Sequence, residues 1–199
     1  VLTDCLNYGN PEKGDAFFEF EEGVRGISDA ANQLGFIEGE PVPIISGNVS
    51  FYNESKKGTA VIPSPVIAVV GKCDHYKKAI TMQLKVPNQK IVMIGERYPE
   101  YGGTQLADLL EIEDSPAPQV RYKEESLANK AVLACIQEGW VSACHDISMG
   151  GLYQALIEMC LGERGLSRVG IELDIKEATS LTTLLFSENG GYVIACDTE

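Results

Sequence analysis

No apolar stretch approaches the roughly 20 residues that a membrane-spanning helix needs, and no signal-peptide pattern stands at the start of the chain. Basic residues are scarce: 16 Lys and Arg face 29 Asp and Glu, for a net charge of −13 and a pI near 4.6. Nucleic-acid backbones are held by Lys and Arg, so this balance excludes a general nucleic-acid binder. It leaves room for a small phosphorylated ligand held by backbone N–H groups and Mg²⁺. Histidine occurs twice, at His75 and His145, too few for a zinc site of clustered Cys and His. The six cysteines, at 5, 73, 135, 144, 160 and 196, form no Cys-x-x-Cys pair. A disulfide framework is not expected, and a reducing cytosol is. Cys135, Cys144 and Cys160 sit among apolar neighbours and read as small buried hydrophobes. Also absent are a Walker loop, a Rossmann fingerprint and a nucleophile elbow.

What is present is an ordinary folded composition, 44% hydrophobic and 23% charged, in 199 residues beginning with Val1. That length allows one large domain or two small ones. Phe17, Phe20, Val24, Ile27, Ala31 and Leu34 repeat at three-four spacing, which predicts a helix over about 15–34 with an acidic outer face. A short strand is expected at 42–46, followed by a polar loop. Val66–Val70 should be a well-buried strand, with Pro63 and Pro65 at an edge, bulge or bend. Downstream come a connector, a strand at 90–96, a turn into a helix at 102–111 and a helix at 124–138. The segments "WVSAC", "VGIEL" and "GYVIAC" read as strands, with helices near 152–160 and 180–186. The fold class is α/β (α+β), in two segments with a boundary near 73–85. The first segment is thin for an independent core, which suggests that the chain begins partway through a domain.

Three stretches join strand ends, glycine and polar side chains. In "LTDCLNYGNPEK" (2–13), Asp4 ends an apolar entry and Asn7, Gly9 and Asn10 make a turn. A tight loop alone explains these residues; the alternative is that Asp4 reaches a ligand hydroxyl, an amino group or a metal. In "SGNVSFYNE" (46–54), Gly47 lets a backbone approach a ligand closely and Asn48 offers a neutral oxygen suited to Mg²⁺. Ser50 shares a face with Asn48 if the chain stays extended. A polar turn capped by Ser and Asn is the alternative. In "ACHDISMGGLYQALIEM" (143–159), a strand ends in His145-Asp146 and Gly150-Gly151 opens a helix whose free N–H groups attract anions. Asp146 and Ser148 serve equally as capping groups, and His145 reads as structural.

Taken in order, "TDCLNYGNPEK", "SGNVSFYNES", "IPSPVIAVVG" and "HDISMGGL" resemble the second half of the large subunit of the phosphoribosylformylglycinamidine synthase family. The resemblance covers nearly the whole chain. It implies that residues 1–75 are the later part of a second, aminoimidazole ribonucleotide synthetase-like ATP-binding domain. Residues 76–84 would be a connector, and 85–199 a C-terminal-type α/β domain, incomplete at its end. The implied activity is ATP-dependent conversion of formylglycinamide ribonucleotide and ammonia to the amidine, in purine biosynthesis in the cytoplasm. ATP and Mg²⁺ are the implied cofactors. A glutaminase subunit and a small accessory subunit, or fused equivalents, are the implied partners, with no nucleic acid and no membrane. Residue by residue, Asp4 and Gly47 fall at ATP-contacting positions, Asn48 at a magnesium ligand and Ser50 at a substrate contact. The family's catalytic histidines belong to a first unit that this sequence lacks, so neither His75 nor His145 inherits that role. Met149 replaces the usual acidic residue of "HDxSDGGL", and residues 35–43 are longer than the compact connection common in bacterial members. The rivals are another synthetase of the same superfamily, of the aminoimidazole ribonucleotide or selenophosphate type, and a non-catalytic scaffold domain.

Overall fold

Alternation in "LTDCLN" sets the first unit. Leu2 and Leu6 are buried while the residues between them are half-buried, the period of two that a strand with one inner face requires. A computed structural model describes residues 1–35, 37, 39–73, 75–161, 169–176 and 180–197. These form two units, Val1–Asp74 and His75–Glu199. Both mix helices with a sheet, so the fold class is α/β.

In the first unit, β1 (Leu2–Asn7) is the central strand of three. It runs parallel to β2 (Ile44–Ser50) and antiparallel to β3 (Ser64–Val69). Helix α1 (Ala16–Gln33) connects β1 to β2, as a parallel pair demands. Tyr8, only 1% exposed, stands against Gly23 of α1 and meets Phe20 edge-on at 5.5 Å between ring centroids. A side chain at Gly23 would collide with the Tyr8 ring, so glycine there admits the aromatic.

Two expectations for this unit need correction. β2 does not end before the glycine; it runs on through Gly47 and Asn48 to Ser50, because β1 supplies a hydrogen-bonding partner along its whole length. The strand expected to be well buried is an exposed edge: Val66 is 57% and Val69 69% exposed. An apolar run signals burial only when a second layer covers it, and three strands with one helix supply little cover. Pro65 lies in this edge strand, opposite Leu6, where a missing ladder donor is tolerated. In the long connection at 35–43, residues 36 and 38 lie outside the described residues; Gly39 turns with φ +78°.

In the second unit, β4 (Lys90–Ile94), β6 (Tyr192–Cys196) and β5 (Val141–Asp146) form an antiparallel sheet with β6 central. Helices α2 (Gln105–Leu110), α3 (Tyr122–Glu138), α4 (Gly151–Leu161) and α5 (Leu181–Phe186) complete it. The Thr104 hydroxyl accepts from Ala107 N–H at 3.2 Å and so caps α2. Gly139, in the left-handed region, closes α3. The core gathers Ala143, Ile147, Leu152, Leu156, Met159 and Val193 between β5, β6 and α4. Leu84 joins that core and Thr81 bridges Ala143, so part of the stretch expected as a connector packs within this unit. The segment "VGIEL" is not a strand. Residues 169–175 run beside the edge strand β4 across a groove of about 700 Å³ without joining its ladder. The six cysteines are free thiols. Cys135, Cys144 and Cys160 are half-buried rather than buried.

Candidate functional site

The register of β1 on β2 places the four candidate residues. Asp4 lies opposite Gly47, Cys5 opposite Asn48 and Asn7 opposite Ser50. Asp4 and Gly47 are in contact. A Cβ built at Gly47 would come within 2.8 Å of Asp4 Cγ and 3.0 Å of Oδ2, closer still to Oδ1. Glycine here leaves room for the carboxylate of the neighbouring strand. Asp4 lies on the side of Leu2 and Leu6, and its carboxylate has no hydrogen-bond or ion-pair partner among the described residues. It is a half-buried acceptor free to take a ligand hydroxyl or amino group.

Asn48 and Ser50 lie on the opposite side of the same sheet, because side chains alternate along an extended strand. The four residues therefore form two pairs back to back. Asn48 is exposed and its amide makes no hydrogen bond among the described residues. Its carbonyl oxygen suits one coordination position of Mg²⁺, a hard cation that keeps several waters and takes phosphate oxygens as other ligands. No cluster of three or more His, Cys, Asp or Glu able to hold a metal occurs among the described residues. Asn48 fits Mg²⁺ as one ligand, not as a complete cage.

Ser50 is bound into the turn after β2. Its hydroxyl donates to Asn53 Oδ1 at 3.1 Å. Asn53 Nδ2 donates to Ser50 O at 2.8 Å and Tyr8 O at 3.1 Å. Tyr52, between them, holds the left-handed region at φ 59°. Sequence reasoning gave Asn53 no site role, but its alternative reading, a polar turn capped by Ser and Asn, is the arrangement that Ser50 and Asn53 form. The available signal was an Asn three residues after a Ser at a strand end, a spacing that favours local side-chain-to-backbone bonds.

The third motif folds differently from the expectation of an open anion site. The α4 entry is occupied by an internal carboxylate: Glu188 Oε1 accepts from Gly150 N and from Gln105 N, each at 2.8 Å. Asp146 does not cap the helix. His145 lies between Asp146 Oδ1 at 3.1 Å and Glu158 Oε2 at 2.8 Å, and Gln154 donates to Glu158 at 2.8 Å. Met149 is 65% exposed. Burial, with Asp146 nearby, pushes the Cys144 thiol up to about 11, which leaves it protonated and inert.

Sequence reasoning also missed an ion-pair network in the second unit. Arg121 donates to both oxygens of Glu100, at 2.5 and 3.1 Å, and stacks over the Tyr98 ring at 3.5 Å. Asn189 donates to the same Glu100 at 2.9 Å. The Arg121 guanidinium holds the Glu100 carboxyl down at about 2. Hydrogen bonds to Glu124 and Glu96 push the Tyr98 hydroxyl up to about 12. Arg97 binds the carbonyls of Asn189 and Gly190, fixing the loop that carries Glu188.

Known proteins resemble both units. Phosphoribosylformylglycinamidine synthase subunit PurL of Methanothrix thermoacetophila is 45% identical over 200 residues, covering 98% of this chain and 25% of that protein. The subunit of the same name from Tropheryma whipplei is 37% identical over 196 residues, covering 98% of this chain and 24% of its own. The chain thus spans about a quarter of the length of the curated relatives it matches. Among solved structures, Thermotoga maritima PurL complexed with FGAR superposes with a TM-score of 0.61 at 18% identity, covering 99% of this chain and 31% of that one. PurLQS from Thermotoga maritima superposes at 0.59 and 20% identity, covering 99% and 29%. These two establish the likeness of fold. The family model described as AIR synthase related protein, C-terminal domain, matches residues 86–199. That match takes in more than half of the chain, which therefore belongs to the family of AIR synthase related proteins through their C-terminal domain.

Proposed function

We propose that this chain is part of the synthetase subunit of phosphoribosylformylglycinamidine synthase. The whole subunit joins ammonia to formylglycinamide ribonucleotide at the expense of ATP. The observation that carries the proposal is the β1–β2 register, which sets an unpartnered Asp4 carboxylate on Gly47 on one face of the sheet and Asn48 with Ser50 on the other. The 45% identity over 98% of the chain with a relative of that name supports it. In this reading residues 1–75 are the later part of the second ATP-binding-type domain, 76–84 a connector and 85–199 the C-terminal-type domain. The subunit works in the cytoplasm with a glutaminase and a small accessory subunit, or their fused equivalents. No helix among the described residues is long and apolar enough to cross a membrane.

The reaction transfers the γ-phosphoryl group of ATP to the carbonyl oxygen of the glycinamide group, the oxygen that the amidine lacks. Ammonia then adds to the activated carbon, and phosphate leaves with the C–O bond to give the amidine, ADP and phosphate. Such transfer is governed by positioning and charge stabilisation. Asp4 accepts a hydrogen bond from the nucleotide, and Gly47 keeps the strand low enough for the carboxylate to reach it. Asn48 would hold Mg²⁺, which neutralises phosphate charge. Ser50 contacts the ribonucleotide.

Asn48→Ala in the full-length subunit tests the reading. The expected result is a fall in turnover of about tenfold or more, with the Mg²⁺ midpoint moved to higher concentration, in line with losses seen when a metal's support is removed. Unchanged kinetics across a Mg²⁺ titration remove Asn48 from the metal site.

A further inference from the structure

The bonds of Asn53 fix which way the Ser50 hydroxyl points its proton. A primary amide has two N–H donors and one carbonyl acceptor. Both Nδ2 donors of Asn53 are spent on carbonyl oxygens, Ser50 O and Tyr8 O. Turning the amide over would set its oxygen against two other oxygens, so this orientation is the one the site allows. Oδ1 is thereby left facing Ser50, and an amide oxygen can only accept. The Ser50 proton therefore goes to Asn53, at 3.1 Å. The turn is pinned from outside as well: Tyr8 N–H donates to Ser50 O at 3.0 Å, Asn53 N–H to Tyr8 O at 3.2 Å and Tyr52 N–H to Gly9 O at 3.0 Å. These bonds hold Tyr52 in its left-handed conformation, which a bulky residue adopts only when its surroundings impose it.

We infer that Ser50 presents lone pairs, not a proton, to its ligand, and that Asn53 is the positioning residue that makes it so. Ser50 then recognises a hydrogen-bond donor of the ribonucleotide, a ribose hydroxyl or an amide N–H. It does not hold the phosphate, whose oxygens only accept at neutral pH. The inference rests on the proposal that Ser50 touches the ribonucleotide, and it adds which chemical part of that molecule is read.

Calorimetric titration of the full-length subunit tests both layers separately. Ser50→Ala is titrated with formylglycinamide ribonucleotide, with inorganic phosphate and with Mg²⁺-ATP. The expected result is a Kd for the ribonucleotide raised about 5- to 10-fold, the loss of one hydrogen bond, with phosphate and Mg²⁺-ATP affinities unchanged. Asn53→Ala should give the same selective loss, and the double variant should add nothing, since Asn53 acts through Ser50. Phosphate affinity falling in step with that of the ribonucleotide overturns the inference while leaving Ser50 at the substrate. Additive losses overturn the role of Asn53. A ribonucleotide Kd untouched by Ser50→Ala overturns the inference and the underlying assignment together. Should Asn53→Ala fail to fold, the Ser50→Ala titrations decide alone.

Discussion

At the scale of single residues, the contact between Gly47 and Asp4 lets the proposed nucleotide role of Gly47 be told apart from a structural one. A methyl group at Gly47 meets the tip of a short, half-buried side chain rather than backbone. The carboxylate can swing aside, so Gly47→Ala should cost less than about 1 kcal/mol of stability, below the typical cost of a point mutation. Its effect should fall on ATP binding, which weakens once Asp4 has moved. A melting temperature within two or three degrees of wild type, beside a clear loss of nucleotide affinity, is the expected pattern. A large drop in melting temperature would mean that Gly47 serves the fold. Glu100 makes a different prediction, from its pKa of about 2 against an ordinary 4.5. A carboxyl held down by folding contributes stability above its unfolded pKa and loses it as pH falls through the folded one. The second unit should therefore lose stability between about pH 4.5 and 2, and Glu100→Gln should remove that component of the loss. Denaturant midpoints measured across this range check it; identical pH profiles for the two proteins would contradict it.

At the scale of elements, the junction of α4 and α5 leaves little room for change. Gly151 opens α4 with φ +69°, and a Cβ there would lie 2.8 Å from Leu185 O and 2.9 Å from Phe186 Cα. Both the conformation and the close backbone demand glycine. Gly151→Ala should destabilise by about 1–3 kcal/mol, the usual cost of overpacking with no room to relax, seen as a lower urea midpoint at unchanged slope. Loss of less than half a kilocalorie would show that α5 can yield. The same elements show where pattern and structure part. "GYVIAC" reads as a strand and is the central one, paired on both sides. "VGIEL" alternates just as well and is not a strand of the described sheet. Alternation states a preference for an extended chain; it does not supply the neighbouring edge. Likewise β2 continued past a glycine and an asparagine, residues that ordinarily mark turns, because the parallel ladder to β1 outweighed their local preference.

At the scale of the whole molecule, two units share one chain and the candidate site lies in the first. On the proposed function, the groups that perform the chemistry belong to parts of the enzyme beyond these 199 residues. The isolated chain should therefore show no ATP- and ammonia-dependent amidine formation, and detectable product would overturn the assignment of roles. The first unit leaves much apolar surface on Val49, Val66 and Val69 uncovered. The second has a core of nine mutually packed buried residues. That difference follows from the elements among the described residues: three strands and one α-helix bury less than three strands and four α-helices.

The sequence by itself determined the α/β class, the placement of the helices, the identity of the three polar stretches and the family to which they point. Periodicity, glycine placement and motif order are local properties that survive without coordinates. Only the tertiary structure decided that Asp4 touches Gly47, that Asn48 and Ser50 face away from them, and that Glu188 fills the α4 entry. Residues 43 positions apart meet only through strand register, which belongs to two strands together and is fixed when both bury their apolar faces. The direction of the Ser50 proton is decided the same way, by an asparagine three residues on and a tyrosine carbonyl from another strand end.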